Sequence, residues 1–189
     1  MAEFFTMVNF RRPLKKNTLN VPTAEILPDS TKRLPFVVVG DDAFPLKNYL
    51  MKPYPHQGLS REKRIFNYRL SRARRIVEDA FRILANRYRV FMTTIHLSPD
   101  TIESLVLASC VLHNYLRTKS SDRYTPAGSF DKVNKDRSVV LGSWREEGYL
   151  RSIGKQGSNF YAKDAKKIRE DYCNYFNSDG KVPWQDDYA

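Results

Sequence analysis

The stretch that decides the fold is Pro35–Asp42, which reads Pro-Phe-Val-Val-Val-Gly-Asp-Asp. Consecutive apolar residues with three valines favour a strand over a helix, and their unbroken apolarity predicts burial on both faces. Gly40 ends the run, so Asp41 comes directly after the strand. A carboxylate at a strand end is a candidate metal ligand, although paired aspartates more often form turns or caps.

An arginine-rich helix follows, with Ser60 as its predicted N-cap. Glu78 lies at the edge of its apolar side, where the carboxylate could enter a cleft against the neighbouring sheet. Asp41 and Glu78 together could hold Mg²⁺ or Mn²⁺, which prefer carboxylate oxygens. A glutamate in such a helix is, however, more often an ion-pair partner. The apolar residues recur at three- and four-residue steps and predict one buried face: Ala73, Ile76, Val77, Ala80, Phe81, Leu84 and Tyr88.

Positive charge is concentrated in this helix. The chain has a net charge of +11 over 189 residues, and residues 61–90 hold ten basic and three acidic side chains. A basic stripe of that density suits a polyanion such as DNA, since each neutralised phosphate releases a counterion. The alternative is an ordinary solvated helix face. The arginines expected to contact DNA phosphates are Arg72, Arg74, Arg75, Arg82 and Arg89.

The rest of the chain predicts an α/β domain with less ordered flanks. Residues 1–34 are punctuated by prolines and are predicted to be irregular, and residues 43–51 are predicted to form a short helical turn. A core helix begins at the N-cap Ser98 and runs to residue 116 or 117. Residues 118–158 lack periodicity and read as a flexible connector, while residues 159–189 comprise a last helix and a tail.

Competing chemistries have little support. The sequence contains no glycine-rich phosphate loop and no His-Glu-x-x-His, and its three histidines are scattered. Cys110 and His113 lie one helical turn apart and could ligate a metal, but without a second pair core packing is the better interpretation. The two cysteines have no metal-type spacing, and a reduced, intracellular compartment is the simplest expectation.

Several motifs resemble those of the PIF/Harbinger transposases and the Harbinger transposase-derived nucleases. The segment 38–46 resembles the second-aspartate motif of that family, and 67–81 resembles the helix that carries its catalytic glutamate. Residues 110–116, Cys-Val-Leu-His-Asn-Tyr-Leu, are similar to a downstream core helix, and 175–185 resembles a tail found in many animal members. The resemblance covers residues 18–117 and 159–185.

The resemblance implies an RNase H-like α/β fold with a DDE acid triad that cleaves DNA with divalent metal. Asp41 would be the second acid and Glu78 the third, both of them catalytic and metal-binding. Residues 35–117 would then form the C-terminal, helix-rich part of the nuclease domain. The family also implies a nuclear location, with the cytoplasm as a second compartment, and a Myb-like DNA-binding partner protein.

Two departures from the family pattern qualify this expectation. Arg82 stands where the family usually has glycine, which could alter the groove beside Glu78. The acids before Asp41, namely Glu3, Glu25 and Asp29, stand in no context that matches the family's first aspartate. The chain is therefore expected to represent the C-terminal half of the domain and to cut DNA poorly or not at all by itself.

Two other functions stay open at this point. The chain could be a non-catalytic remnant that binds nucleic acid or a protein through its basic helix. It could also be a fragment without a function, in which case exposed sheet edges would favour aggregation.

Overall fold

A computed structural model of the chain describes residues 20–134, 139–143 and 162–188. Within these residues the architecture is mixed α/β, with three separate two-stranded sheets. No helix within those residues is both long enough and apolar enough to cross a membrane. The elements in chain order are β1 (Glu25–Ile26), β2 (Arg33–Leu34), β3 (Val38–Val39), β4 (Leu50–Met51), α1 (Arg61–Arg87), α2 (Pro99–Lys119), α3 (Ser121–Tyr124), β5 (Lys132–Val133), β6 (Val139–Val140) and α4 (Lys163–Asn177), with 3₁₀ turns at Arg89–Met92 and Gln185–Tyr188.

The described residues divide into two compact units. We call residues 20–75 and 162–188 the terminal unit, because it joins the two ends of the described chain. We call residues 76–134 and 139–143 the central unit. Helix α1 contributes residues to both units.

The valine run forms a strand, but a shorter and more exposed one than predicted. Strand β3 pairs in parallel with β4, with Val38 opposite Leu50 and Val39 opposite Met51. Phe36 and Val38 remain 45% and 44% exposed, so the prediction of burial on both faces is wrong. The side chains alternate instead: Val37 and Val39 pack against the core of the terminal unit, while Phe36 and Val38 are exposed. The helical turn predicted over 43–51 is also wrong, since this segment turns and ends in β4.

The core of the terminal unit joins the start of α1 to α4. Ser60 precedes α1 as predicted, and its carbonyl accepts the amide of Arg64 at 3.0 Å. Apolar side chains at a helical spacing, Phe66 and Leu70, are buried against Ala165 and Cys173 of α4. The strands add Leu46 and Met51 to the same cluster. The ring of Phe66 is fully buried and lies 5.2 Å from the ring of Tyr54 and 6.0 Å from that of Phe176.

Hydrogen bonds attach α4 to the N-terminal part of the unit. The hydroxyl of Tyr172 donates to the carbonyl of Pro35 at 2.7 Å, and that of Tyr175 donates to Pro28 at 3.1 Å. The helix predicted over residues 159–176 begins at Lys163, and residues 144–161 lie outside the described ranges. The helix ends near Asn177 as predicted, but the predicted glycine cap is wrong. The C-cap is Ser178, whose amide donates to the carbonyl of Tyr175 at 3.1 Å, and Gly180 lacks the positive φ of a glycine cap.

The segments predicted to be irregular contain short regular elements. Residues 1–34 include the antiparallel pair β1–β2, with Glu25 opposite Leu34, while residues 1–19 lie outside the described ranges. In the connector predicted over 118–158, helix α3 and the antiparallel pair β5–β6 are present. These elements have two to four residues each, which is too short for hydrophobic periodicity to reveal.

The apolar face predicted for the second half of α1 is not the buried one. Ile76, Val77 and Phe81 are 78%, 53% and 50% exposed. The side chains buried instead include Ile83, which packs with Tyr124 of α3 in the core of the central unit. Leu116 and Phe130 pack against that pair. The choice of face therefore follows from where α3 and the following loop lie, which periodicity in α1 alone does not determine.

Helix α2 begins as predicted but is not buried all round. The hydroxyl of Ser98 accepts the amide of Thr101 at 3.3 Å, and Pro99 occupies the first turn. Its buried residues are Ile102, Ser109 and His113. The prediction of a core helix is thus wrong for the opposite face, where several apolar side chains remain exposed: Leu107, Val111, Leu112 and Tyr115.

Candidate metal and nucleic-acid site

Asp41 lies at the end of β3, where the pairing with β4 stops. The amide of Gly40 donates the last ladder bond, to the carbonyl of Met51 at 2.8 Å. One carboxylate oxygen of Asp41, Oδ1, accepts the amide of Ala43 at 2.9 Å, as expected of an aspartate that starts a turn. The other, Oδ2, lies 3.8 Å from Nη2 of Arg74. Both side chains of this ion pair are partly exposed, so its contribution to stability is small, about 0–1 kcal/mol.

Asp42 holds a buried lysine beside Asp41. The ammonium of Lys52 donates to the carbonyl of Asp42 at 2.9 Å and lies 3.3 Å from its Oδ1. The Lys52 side chain is only 5% exposed, whereas that of Asp42 is 37% exposed. A lysine is rarely buried to this degree without a partner, so Asp42 neutralises a charge that the fold has withdrawn from water. Lys52 was not among the residues predicted to be functional, although its place directly after the apolar pair Leu50–Met51 was a signal.

Glu78 is exposed and belongs to the central unit, whereas Asp41 belongs to the terminal unit. The residue after it, Asp79, is 6% exposed and is the carboxylate that α1 directs inward. The expectation that Glu78 lies against a sheet therefore has no support within the central unit. Its pairing with Asp41 at one metal stays a prediction.

The metal implied by the carboxylates has an incomplete ligand set in the described residues. Among residues 20–134, 139–143 and 162–188, no three His, Cys, Asp or Glu side chains converge as a metal site. A hard divalent cation bound by protein oxygens usually takes two or three carboxylates. Asp41 also has both carboxylate oxygens next to protein donors. The residues present thus do not by themselves fit a catalytic metal, and we derive no reaction step through one.

The five arginines predicted to contact DNA have different surroundings. Arg72 donates to the hydroxyl of Tyr68 at 3.0 Å, and its guanidinium lies 5.9 Å from the ring centroid of Trp184. Arg74 forms the ion pair with Asp41. Arg75 and Arg82 are half-buried. Arg89 is exposed, in the 3₁₀ turn Arg89–Met92.

Other arginines of α1 have structural contacts that the charge pattern did not distinguish. Nη1 of Arg69 donates to the carbonyl of Gly180 at 3.1 Å and to Oε1 of Gln185 at 3.2 Å, and the guanidinium lies 4.7 Å from the ring centroid of Phe176. Burial lowers the pKa of Arg69. Nε of Arg87 donates to the carbonyl of Tyr124 at 3.1 Å. Two basic residues of α1, Arg69 and Arg87, therefore hydrogen-bond to other segments of the chain and hold them against this helix.

Buried tyrosine, histidine and cysteine side chains in both units are structural. Nδ1 of His113 and the hydroxyl of Tyr124 lie 2.9 Å apart, and burial lowers the pKa of His113, with Arg117 adding to the effect. Burial raises the pKa of Tyr124 to about 12. Burial likewise raises the pKa of Tyr54 to about 12 and raises that of the Cys173 thiol. The interpretation of His113 as a core residue is confirmed.

The middle of the chain is similar to a known protein family. Residues 26–114 match the family model described as DDE superfamily endonuclease. The matched segment is just under half of the chain and includes Asp41, Glu78 and the five arginines discussed above. Searches of curated proteins and of solved structures gave no significant match.

Proposed function

We propose that this chain is a Harbinger-type DDE endonuclease domain, in its C-terminal part, that binds DNA. The observation that carries the proposal is the match of residues 26–114 to the DDE superfamily endonucleases. Endonucleases of this superfamily act on DNA and generally use divalent metals. The Harbinger type is supported by three motifs in matching order and spacing: the aspartate motif, the glutamate helix and the tail. The same motifs support an RNase H-like arrangement in a complete domain.

In this proposal Asp41 and Glu78 are the second and third acids of a DDE triad. When bound, Mg²⁺ or Mn²⁺ would activate the attacking water and stabilise the leaving oxygen of the phosphodiester. Asp41 would have to release Arg74, which is feasible because that contact is long and partly exposed. With no third ligand gathered among the described residues, we expect the purified chain to cut DNA poorly or not at all.

The cleavage test uses the full chain, a supercoiled plasmid and added Mg²⁺ or Mn²⁺. We expect no nicking above background, and the same result for Glu78→Gln and Asp41→Asn. Metal-dependent nicking by the wild-type chain that disappears in Glu78→Gln would contradict the expected inactivity and establish a working site. Nicking that persists in both variants would show that the activity belongs to other residues or to a contaminant.

A second candidate function is DNA binding without cleavage. It is favoured by the ion pair between Asp41 and Arg74, which engages one of the two acids, and by the incomplete ligand set among the described residues. The exposed Arg89 is the clearest phosphate-contact candidate, while Arg72 and Arg74 would contact DNA only after leaving Tyr68 and Asp41.

Fluorescence anisotropy with a labelled duplex distinguishes the two functions. Binding should weaken steeply as the salt concentration rises. Arg89→Gln should reduce by about 1 the slope of the logarithm of the DNA association constant against the logarithm of the salt concentration. The matched control is Arg87→Gln, since Arg87 is bonded to Tyr124 and should affect stability more than the slope. Binding that ignores EDTA supports the non-catalytic function, and the absence of salt-dependent binding contradicts both.

The location and partner follow from the same proposal. A chain of this kind would act in the nucleus, with a cytoplasmic pool, and would associate with a Myb-like DNA-binding protein. Imaging of a tagged full-length chain tests the location, and exclusion from the nucleus would contradict it. Co-purification with a Myb-like protein that survives nuclease treatment tests the association.

A further inference from the structure

The contact between Asp41 and Arg74 is too long for a charged hydrogen bond. Oδ2 of Asp41 lies 3.8 Å from Nη2 of Arg74. A guanidinium that is hydrogen-bonded to a carboxylate lies at about 2.7–2.9 Å and commonly uses two parallel N–H donors. The side chains of Asp41 and Arg74 are 34% and 24% exposed, so a ligand from solvent can reach the pair. A freely placed oxyanion could therefore make a closer contact with this guanidinium than Asp41 does.

The turn after β3 keeps Asp41 from moving closer. Oδ1 of Asp41 accepts the amide of Ala43 at 2.9 Å, and its carbonyl accepts the amide of Phe44 at 3.3 Å. The next residue, Asp42, is held through its carbonyl and its carboxylate by the buried ammonium of Lys52. With one carboxylate oxygen taken by the turn, Asp41 cannot offer two oxygens to the guanidinium. A phosphate has no such restriction and can bind an arginine through two oxygens.

The two adjacent aspartates thus have cations of different kinds. Lys52, the partner of Asp42, has a side chain that is 5% exposed, and it is closed to ligands. Arg74, the partner of Asp41, is partly exposed and lies on α1 beside two further arginines, Arg72 and Arg75. This concentration of positive charge attracts a polyanion. Asp41 is therefore the aspartate whose cation can be exchanged for a phosphate.

We infer that Asp41 is an internal phosphate mimic, whose carboxylate occupies the place on Arg74 that a DNA phosphate takes. The inference rests on the proposed DNA binding and goes beyond it, because Asp41 then lowers the DNA affinity of the free chain. Asp41 and the phosphate compete for one guanidinium, so DNA binding and the release of Asp41 are coupled. This role needs no metal. A role limited to metal ligation predicts no effect of Asp41 on DNA affinity in EDTA.

A double-mutant cycle on DNA affinity tests the competition. Fluorescence anisotropy with a labelled duplex is measured in EDTA and low salt, where exposed charges are least screened. Asp41→Asn keeps the side-chain shape and an oxygen that can accept the amide of Ala43. It should tighten binding by about two- to fivefold, the range that an exposed ion pair of this kind covers. In an Arg74→Gln background the gain should be lost.

Two further variants separate the exchange from a general effect of charge. Asp29→Asn removes the same charge from an exposed aspartate of the same unit, whose φ of 55° suits asparagine. It should leave the DNA affinity nearly unchanged. Arg74→Lys keeps the positive charge but lacks the two-pronged guanidinium, so Asp41→Asn should give an intermediate gain in this background. Circular dichroism verifies that each variant is folded.

The outcomes distinguish this inference from the proposed function. Equal gains from Asp41→Asn with and without Arg74, or an equal gain from Asp29→Asn, would show an effect of net charge and overturn the inference. Coupling of Arg74 to Glu78→Gln in place of Asp41→Asn would also overturn it, because Glu78 lies four residues after Arg74 on α1. In these cases the DNA binding itself stands. Absence of salt-dependent binding in the wild type and in every variant would overturn the proposed function as well.

Discussion

Phe66→Ala is the substitution that most directly tests the core of the terminal unit. The ring is 0% exposed and lies among residues of α1, α4 and the strands. Truncating a fully buried phenylalanine removes its burial energy and leaves a cavity, which together cost about 3–5 kcal/mol. Since a domain is typically stable by only about 5–15 kcal/mol, this variant should lose much of its stability.

Part of that cost is shared with the C-terminal helix. The ring of Phe176 lies 6.0 Å from that of Phe66 at an angle of 35°. Aromatic pairs of this kind contribute about 0.5–1.5 kcal/mol beyond area burial. A double-mutant cycle with Phe176→Leu and Phe66→Leu should therefore give a coupling free energy of that order. Such coupling would show that Phe176, outside the family-matched segment 26–114, stabilises the same core as Phe66 within that segment.

The assay is urea unfolding followed by the fluorescence of Trp184, which lies in the terminal unit. A Trp144→Phe background removes the other tryptophan. Phe81→Ala is the matched control, because its ring is 50% exposed and its loss should cost roughly 1 kcal/mol or less. A loss of stability in Phe66→Ala no larger than in Phe81→Ala, or a cycle without coupling, would refute the packing described for this core.

Three further predictions concern pH, thiol reactivity and a glycine. Burial keeps the pKa of His113 lower in the folded state than its ordinary value, so between the two pKa values unfolding takes up a proton. The contribution of neutral His113 to folding stability is therefore fully present above about pH 6.5 and is lost as pH falls through the lowered pKa. Thermal melts at pH 7 and pH 5 should therefore show a larger drop for the wild type than for His113→Gln, and equal drops would contradict the assignment. Cys110 should react with a thiol reagent well before Cys173, whose pKa is raised by burial, and simultaneous labelling of the native chain would show that Cys173 is accessible. Gly180→Ala should destabilise the terminal unit by about 1–3 kcal/mol, because the added Cβ would overlap the buried ring of Tyr175, and an unchanged urea midpoint would exclude that close approach.

Local signals predicted several elements well. Ser98 and Pro99 predicted the start of α2, because an N-cap depends on a few adjacent backbone groups. The run Asn177–Gly180 predicted the end of α4, although the cap there is Ser178 and not the glycine. The valine run predicted a strand because β-branched residues favour extended backbone. Its burial on one face only was not predictable, since that depends on which parts of the chain pack over each face.

The sequence by itself determined the family-like motifs, the three long helices α1, α2 and α4, and the concentration of basic residues in α1. Only the tertiary structure decided which faces of those helices are buried, because Ile76 and Ile83 are equally apolar and differ only in what packs against them. It also assigned Arg69 and Arg87 to structural contacts, which the charge pattern cannot show because a guanidinium can donate to a backbone carbonyl as well as to a phosphate. Asp41 was singled out by its place after a strand, and its bonds to Ala43 and Arg74 arise from the turn and the helix beside it.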